Sequence, residues 1–304
     1  MKVSLVIMAA GMGSRYGGSK QVDGLGPHGE ILMEYSIHDA LRAGFNKVVF
    51  IIKPEMKQMM QELVGNYLEK RIAKDGSPVE VAYAFQDFSS VPSFYHIPEE
   101  RTKPFGTVHA LLCAADVVDG PFCVINADDY YGIDAYQTIY QELTRLPQSG
   151  KATMVGYLLK NTASLFGTVS RGVCQVEDGH LQSIREALKI QLYPDGTLRD
   201  LAEDKALDPD TVVSMNFWGF APSIFPKLRD YFESFLRTEA GDNIKAECLL
   251  PVLVGELLHS GELEVSVLHS SDRWFGMTYH EDRARVAEEL KKLHDAGAYP
   301  ETLR

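Results

Sequence analysis

"LVIMAAGMGSRYGGSKQ", residues 5–21, couples an apolar run to a glycine-rich, basic segment. Four apolar residues run into two alanines, and then four glycines, an arginine and a lysine crowd into ten positions. A short, unbroken apolar run suits a strand buried on both faces, as in a parallel sheet. The loop that follows then lies beyond the carboxyl end of that strand, where open α/β sheets bind ligands. Glycines let backbone N–H groups approach a phosphate closely and form an anion-binding concavity. Arg15 can fork two hydrogen bonds onto phosphate oxygens, and Lys20 adds a compact charge. The loop therefore reads as a polyphosphate cradle. A dinucleotide fingerprint is excluded because the third glycine of G-x-G-x-x-G is replaced by Tyr16, and no acidic residue ends the second strand. A Walker loop is excluded because Gly-Lys-Ser/Thr is missing.

Outward from this loop the chain alternates. Strands are predicted over 3–8, 47–52, 79–85 and 122–126, and helices over 31–43, 54–74 and 106–117. Gly44 is placed to end the first helix and Pro54 to begin the second. Strand, helix, strand, helix, strand is the rhythm of a Rossmann-like, doubly wound, mostly parallel α/β sheet. Later strands are expected over 152–159, 166–172, 212–220 and 263–269. The polar stretch 183–211, broken by "PDG" and "DPD", reads as an excursion or long loop. Helices are expected over 225–236, 246–258 and 281–296. The simplest organisation is a catalytic domain over 1–225 with a mainly helical C-terminal part over 226–304.

The composition narrows the function classes. The chain has 304 residues, 45% of them hydrophobic, with a formal net charge of -12. Such an acidic balance argues against a nucleic-acid partner. No run reaches the roughly 18 apolar residues of a membrane span, and no secretory leader is read at the start of the chain. The four cysteines form no C-x-x-C pair, so neither a zinc nor a thioredoxin-like site is expected. A reducing, cytoplasmic setting is the expectation.

"AAGMGSRYGGSK" (9–20) resembles the signature loop of the sugar-1-phosphate nucleotidyltransferases, roughly A-G-x-G-[ST]-R followed by a lysine. That family has a GT-A-like fold, and joins a nucleoside triphosphate to a sugar 1-phosphate with release of pyrophosphate. Other stations carry the same resemblance. Gln86 in "AFQDF" is followed by "KPFGTVHALLCA" (103–114), similar to the family's base-reading P-x-G-T-A-H-A. "VINADDYYG" (124–132) sits where the family has G-D-N, which implies that Asp128 binds magnesium; Asp129 beside it stays open between a second metal carboxylate and a turn residue. "LFGTVSRG", "IREALKI" and "SMNFWGF" resemble the sugar-contacting segments.

The resemblance therefore implies Mg2+ as cofactor and a set of site residues. Arg15, Lys20 and Asp128 would be catalytic. Ala10, Gly11, Gly13, Ser14, Gln86, Gly106 and Thr107 would hold the nucleotide, with UTP or dTTP favoured. Gly167, Glu186 and Asn216 would contact the sugar. His109 reads as a structural helix residue. The lysine expected after Glu186 is displaced to Lys189. The aspartate of W-x-D-x-G-T-x-E-D, commonly the second metal ligand, is Gly276 here, so that either a single protein ligand holds the metal or a neighbour such as Asp272 substitutes. The family is also often homo-oligomeric. Three alternatives stay open: a cytidylyl- or guanylyltransferase for a non-sugar phosphate, a nucleotide-binding sensor without catalysis, and a GT-A glycosyltransferase.

Overall fold

The computed structural model describes residues 1–11, 24–241, 243–276, 279 and 281–304. The order along the first half is β1 (Ser4–Met8), α1 (Leu32–Ala43), β2 (Lys47–Ile52), α2 (Lys57–Met60), α3 (Asn66–Leu68), β3 (Glu80–Phe85), α4 (Thr107–Leu112), β4 (Phe122–Asn126), β5 (Asp129–Tyr130) and α5 (Ile133–Leu143). The second half brings β6 (Lys151–Leu158), β7 (Val169–Glu177), β8 (His180–Leu192), β9 (Leu198–Asp200), β10 (Lys205–Leu207) and β11 (Val212–Phe220). It closes with α6 (Ile224–Thr238), α7 (Leu250–His259), β12 (Glu264–His269), β13 (Phe275–Gly276) and α8 (Asp282–Asp295).

β3, β2, β1 and β4 lie side by side and parallel. Their sequences are nearly all apolar because both faces are covered. Leu5 and Ile7 pack with α1, α5 and the helical turns around Met60 and Val64. Val6 faces the opposite layer, made by α4, α6 and α7. Beyond β4 the sheet changes character. β11 runs antiparallel to both β4 and β6, while β12 lies parallel to β6. The sheet is therefore mixed, and the expectation of a mostly parallel one is met only in the β1–β4 quartet and the β6–β12 pair. The reason is connectivity: short turns, rather than helical crossovers, join most of the later strands, and such turns give antiparallel neighbours.

The stretch 183–211 is not a loop. It holds most of β8 together with β9 and β10, and β8 pairs with both β7 and β9. "PDG" is the turn between β8 and β9, with Gly196 at φ 84°, and "DPD" leads from β10 into β11. Helix over 54–74 is likewise shorter than expected, ending at Leu68 after a π turn over Gln61–Gly65. After residue 225 the chain supplies α7, α8 and most of α6, but also β12, which enters the sheet between β6 and β8.

Candidate active site

β1 and β4 end side by side, Met8 opposite Asn126. Beyond those ends lies a cleft of about 560 Å³. Gly11 borders it from the β1 side, and Asn126, Ala127, Asp128 and Asp129 from the β4 side. Thr168, Arg171, Glu186 and Asn216 close it from the antiparallel half of the sheet. The fold thus brings Gly11, Thr107, Asp128, Glu186 and Asn216 to one cleft, although they are spread over 206 positions of chain from Gly11 to Asn216, roughly two thirds of its length.

Each side chain is placed by a local device. Asp128 sits in the turn where β4 ends, half-buried. Asp129 is 7% exposed, and its Oδ2 accepts from Asn126 Nδ2 at 2.8 Å and from the Tyr131 hydroxyl at 3.2 Å. Burial, and then the neighbouring Asp128, push the Asp129 carboxyl well above the ordinary aspartate range. Asn216 has φ 60°, a left-handed conformation that asparagine tolerates better than most residues. The β11–β6 register shifts between Ser214 and Trp218, and this irregularity carries Asn216 to the cleft wall. Glu186 is raised by burial, against the pull of Arg171.

Arg171 was assigned no role from sequence. It is 8% exposed, its Nη1 donates to Ser170 O at 2.7 Å and its Nη2 to Thr162 O. The guanidinium lies 5.0 Å over the Trp274 ring. Burial pulls it down to about 10, and its Nε has no hydrogen-bond partner among the described residues. The available signal was a lone arginine among the small and apolar residues of "TVSRGV", at the start of β7.

Other expected residues lie elsewhere. Gln86 and Gly106 are joined, Gln86 Nε2 donating to Gly106 O at 3.1 Å. Gln86 borders a smaller hollow of about 180 Å³ with Pro54, Thr102 and His109. The Thr107 hydroxyl accepts from Leu250 N at 2.8 Å, so it holds α7 as well as bordering the cleft. His109 is structural, as expected: it bonds Ser90 at 2.8 Å and stacks on Phe232 at 4.9 Å. Gly167 does not border the cleft. A Cβ there would come within 2.4 Å of the Tyr279 hydroxyl, so glycine is required for packing. Ala10 is buried beside Gly11. Gly13, Ser14, Arg15 and Lys20 lie outside the described residues.

Asp272 is engaged as a helix cap. Its Oδ2 accepts from the backbone N–H of Asp134 at 2.6 Å, from Ala135 N at 3.0 Å and from the Ser270 hydroxyl at 3.1 Å. It thereby satisfies the open N-terminus of α5, and it does not border the cleft.

Residues 4–237 match the nucleotidyl transferase family. The chain belongs to that family. No curated protein matches it in sequence. Among solved structures it is similar to a Bacillus anthracis protein assigned as a glucose-1-phosphate thymidylyltransferase, in complex with sucrose. The TM-score is 0.59 at 17% identity, over 95% of both chains. It is also similar to a UDP-glucose pyrophosphorylase complexed with UDP-glucose, with a TM-score of 0.56 at 15% identity, over 98% of this chain and 100% of the other. These likenesses establish the mixed α/β fold. As a nucleotidyl transferase, the chain is an enzyme. The described lining of the cleft carries Asp128, Asp129, Glu186 and Glu247 against Arg171. Carboxylates at the ends of β4 are hard oxygen donors of the kind that bind Mg2+ together with substrate phosphates, and a divalent cation there would offset this negative lining.

Proposed function

We propose that this nucleotidyl transferase joins a nucleoside triphosphate, UTP or dTTP, to a sugar 1-phosphate and releases pyrophosphate. The observation that carries the reading is the meeting of Gly11, at the start of the Gly-Arg-Lys loop, with Asp128 in one cleft whose far wall holds Glu186 and Asn216. In this reaction a sugar-phosphate oxygen attacks the α-phosphorus, the bond to the β-phosphate bridging oxygen breaks, and pyrophosphate leaves with that electron pair. The attacking phosphate is already a competent nucleophile, so the protein's contribution is positioning and charge neutralisation. Arg15 stabilises the departing pyrophosphate, and Lys20 holds the two substrate phosphates together against their repulsion. Asp128 would hold Mg2+, which when bound supplies charge neutralisation at phosphate oxygens. Glu186 and Asn216 orient sugar hydroxyls.

The base preference follows from Gln86. Its Nε2 donates to Gly106 O, which leaves Oε1 to accept. Uracil and thymine present an N3–H donor to it, as guanine does through N1–H, whereas cytosine and adenine present an acceptor at the corresponding ring position. Oε1 thus disfavours CTP and ATP, and the choice of UTP or dTTP over GTP rests on the family resemblance of the Gln86 and Gly106–Thr107 segments. The test is pyrophosphate release by the purified protein with Mg2+, with each nucleoside triphosphate crossed against sugar 1-phosphates and non-sugar phosphates. Turnover with UTP or dTTP and a sugar 1-phosphate is expected. Turnover confined to CTP or GTP with a non-sugar phosphate would replace this reading. In the same assay Arg15→Ala and Lys20→Ala should each lose roughly 100-fold or more in kcat with unchanged melting temperature.

A further inference from the structure

Position 276, where the family pattern has a metal-binding aspartate, is the point at which this chain departs most sharply. Gly276 lies on β13 directly opposite Asp129 on β5. A Cβ built on Gly276 would come within 2.5 Å of Asp129 Oδ1 and within 2.6 Å of the Trp274 ring. No side chain fits there while Asp129 and Trp274 stand where they do. The space that a residue-276 side chain would enter is already held by a carboxylate from the facing strand.

Asp129 is also fixed in that orientation. Asn126 and the Tyr131 hydroxyl both donate to Oδ2, while Oδ1 is the oxygen turned toward Gly276. Tyr131 is in turn anchored by Asn126 N, which donates to its hydroxyl at 3.0 Å, while Met215 O, 2.9 Å from that hydroxyl, shares its single proton with Asp129. Consecutive residues of a regular strand point to opposite faces. Asp128 and Asp129 nevertheless both border the cleft, because β4 ends at Asn126 and the chain turns between it and β5.

We infer that Asp129 is the second protein carboxylate on the catalytic divalent cation, taking over across the β5–β13 pair the place left by Gly276. This rests on the nucleotidyl-transfer reading for the presence of a cation, and it assigns the ligand that the sequence lacks. Asp272, the substitute suggested by sequence position, is committed to the N-terminus of α5. Asp129, the first residue of β5, follows Asp128 directly in the chain, so the pair of ligands is contiguous instead of being drawn from two distant segments.

The experiment is a Mn2+ titration of the full chain, read by the electron paramagnetic resonance signal of free Mn2+. Asp128→Asn and Asp129→Asn should each weaken binding tenfold or more, while Asp272→Asn should leave it unchanged. Wild-type affinity in Asp129→Asn, or no Mn2+ binding by the wild type, overturns the assignment. Should Asp129→Asn fail to fold, wild-type crystals grown with Mn2+ decide by anomalous scattering. A peak within bonding reach of both carboxylates supports it, and a peak on Asp128 alone overturns it. Pyrophosphate release reads the reaction separately. A protein that turns over with Asp129-independent Mn2+ binding keeps the proposed function and loses this ligand. One that binds Mn2+ through Asp129 but releases no pyrophosphate does the reverse.

Discussion

Asp272 and Asp129 are two aspartates near one cleft with opposite tasks, and their hydrogen bonds separate them. Asp272 accepts from two amides at the start of α5. Gly132, just before that helix, has φ 93°, and a Cβ on it would collide with the Asp272 side chain at 2.1 Å. The cap and the glycine are therefore one unit. Asp272→Ala should cost about 1–2 kcal/mol of stability through the lost cap, seen as a lower urea midpoint. Turnover per folded molecule should stay within about twofold, because the residue does not border the cleft. A loss of kcat approaching that of Asp128→Asn would instead return Asp272 to the metal.

Among the elements, α4 and α7 begin at a shared seam. Cys248 N donates to Phe105 O at 2.7 Å, Val108 N to Cys248 O at 3.1 Å, and Leu250 N to the Thr107 hydroxyl at 2.8 Å. Gly106 lies inside this seam at φ 92°, where a Cβ would stand 2.6 Å from Cys248 O. Gly106→Ala should therefore destabilise by roughly 2–3 kcal/mol, combining left-handed strain with a backbone collision. It should also raise KM for the nucleotide, since Gln86 is held by Gly106 O. Chemical denaturation and initial-rate kinetics check the two parts.

How much of this was legible depends on how each element is buried. β1, β2 and β4 were readable because strands covered on both faces spell continuous apolar runs, and Gly44 marked the end of α1, where it has φ 131°. β8 to β10 were unreadable because one face is wet and the register shifts twice along β7–β8, so no clean alternation survives. At the site, Asp128 and Gly11 could be found because they follow readable strands. Asp129 and Arg171 acquire meaning only through partners across a ladder, Gly276 and Trp274, and no local pattern encodes those pairings. Gly167 likewise packs against a partner distant in sequence, Tyr279, 112 positions away in the chain.

At the scale of the whole molecule, the C-terminal segment is fastened to α1 through buried polar groups. Tyr299 donates to Asp39 Oδ2 at 2.6 Å and shares a 2.8 Å bond with Tyr130, whose ring stacks on Phe275 of β13 at 4.3 Å. Arg304 Nε meets Glu34 Oε1 at 2.6 Å. Burial pushes Asp39 up to about 8 from an ordinary 3.8. Below the lower value both folded and unfolded chains carry the proton. Between the two values only the fold retains it, so stability falls as pH rises, by at most about 1.4 kcal/mol per pH unit, and levels off above 8. His38 and His109 act in the opposite sense. Burial lowers both from 6.5 to about 4, so their contribution is present above 6.5 and is lost as pH falls toward 4. Asp39→Asn keeps an acceptor for Tyr299. It should flatten the decline between pH 5 and 8 and leave the variant more stable than the wild type at pH 8, as measured by urea midpoints across that range.

β12 gives the sheet a dependence on the order in which the chain is made. It is read out after residue 263, yet its place is between β6 and β8, both finished some seventy or more positions earlier. On the ribosome β6 has β11 on one side only, and its other edge stays open until β12 clears the exit tunnel; unpaired edges are where chains adhere to one another. Nascent molecules stalled short of residue 269 would thus be sticky intermediates, and chaperone demand should peak late in translation.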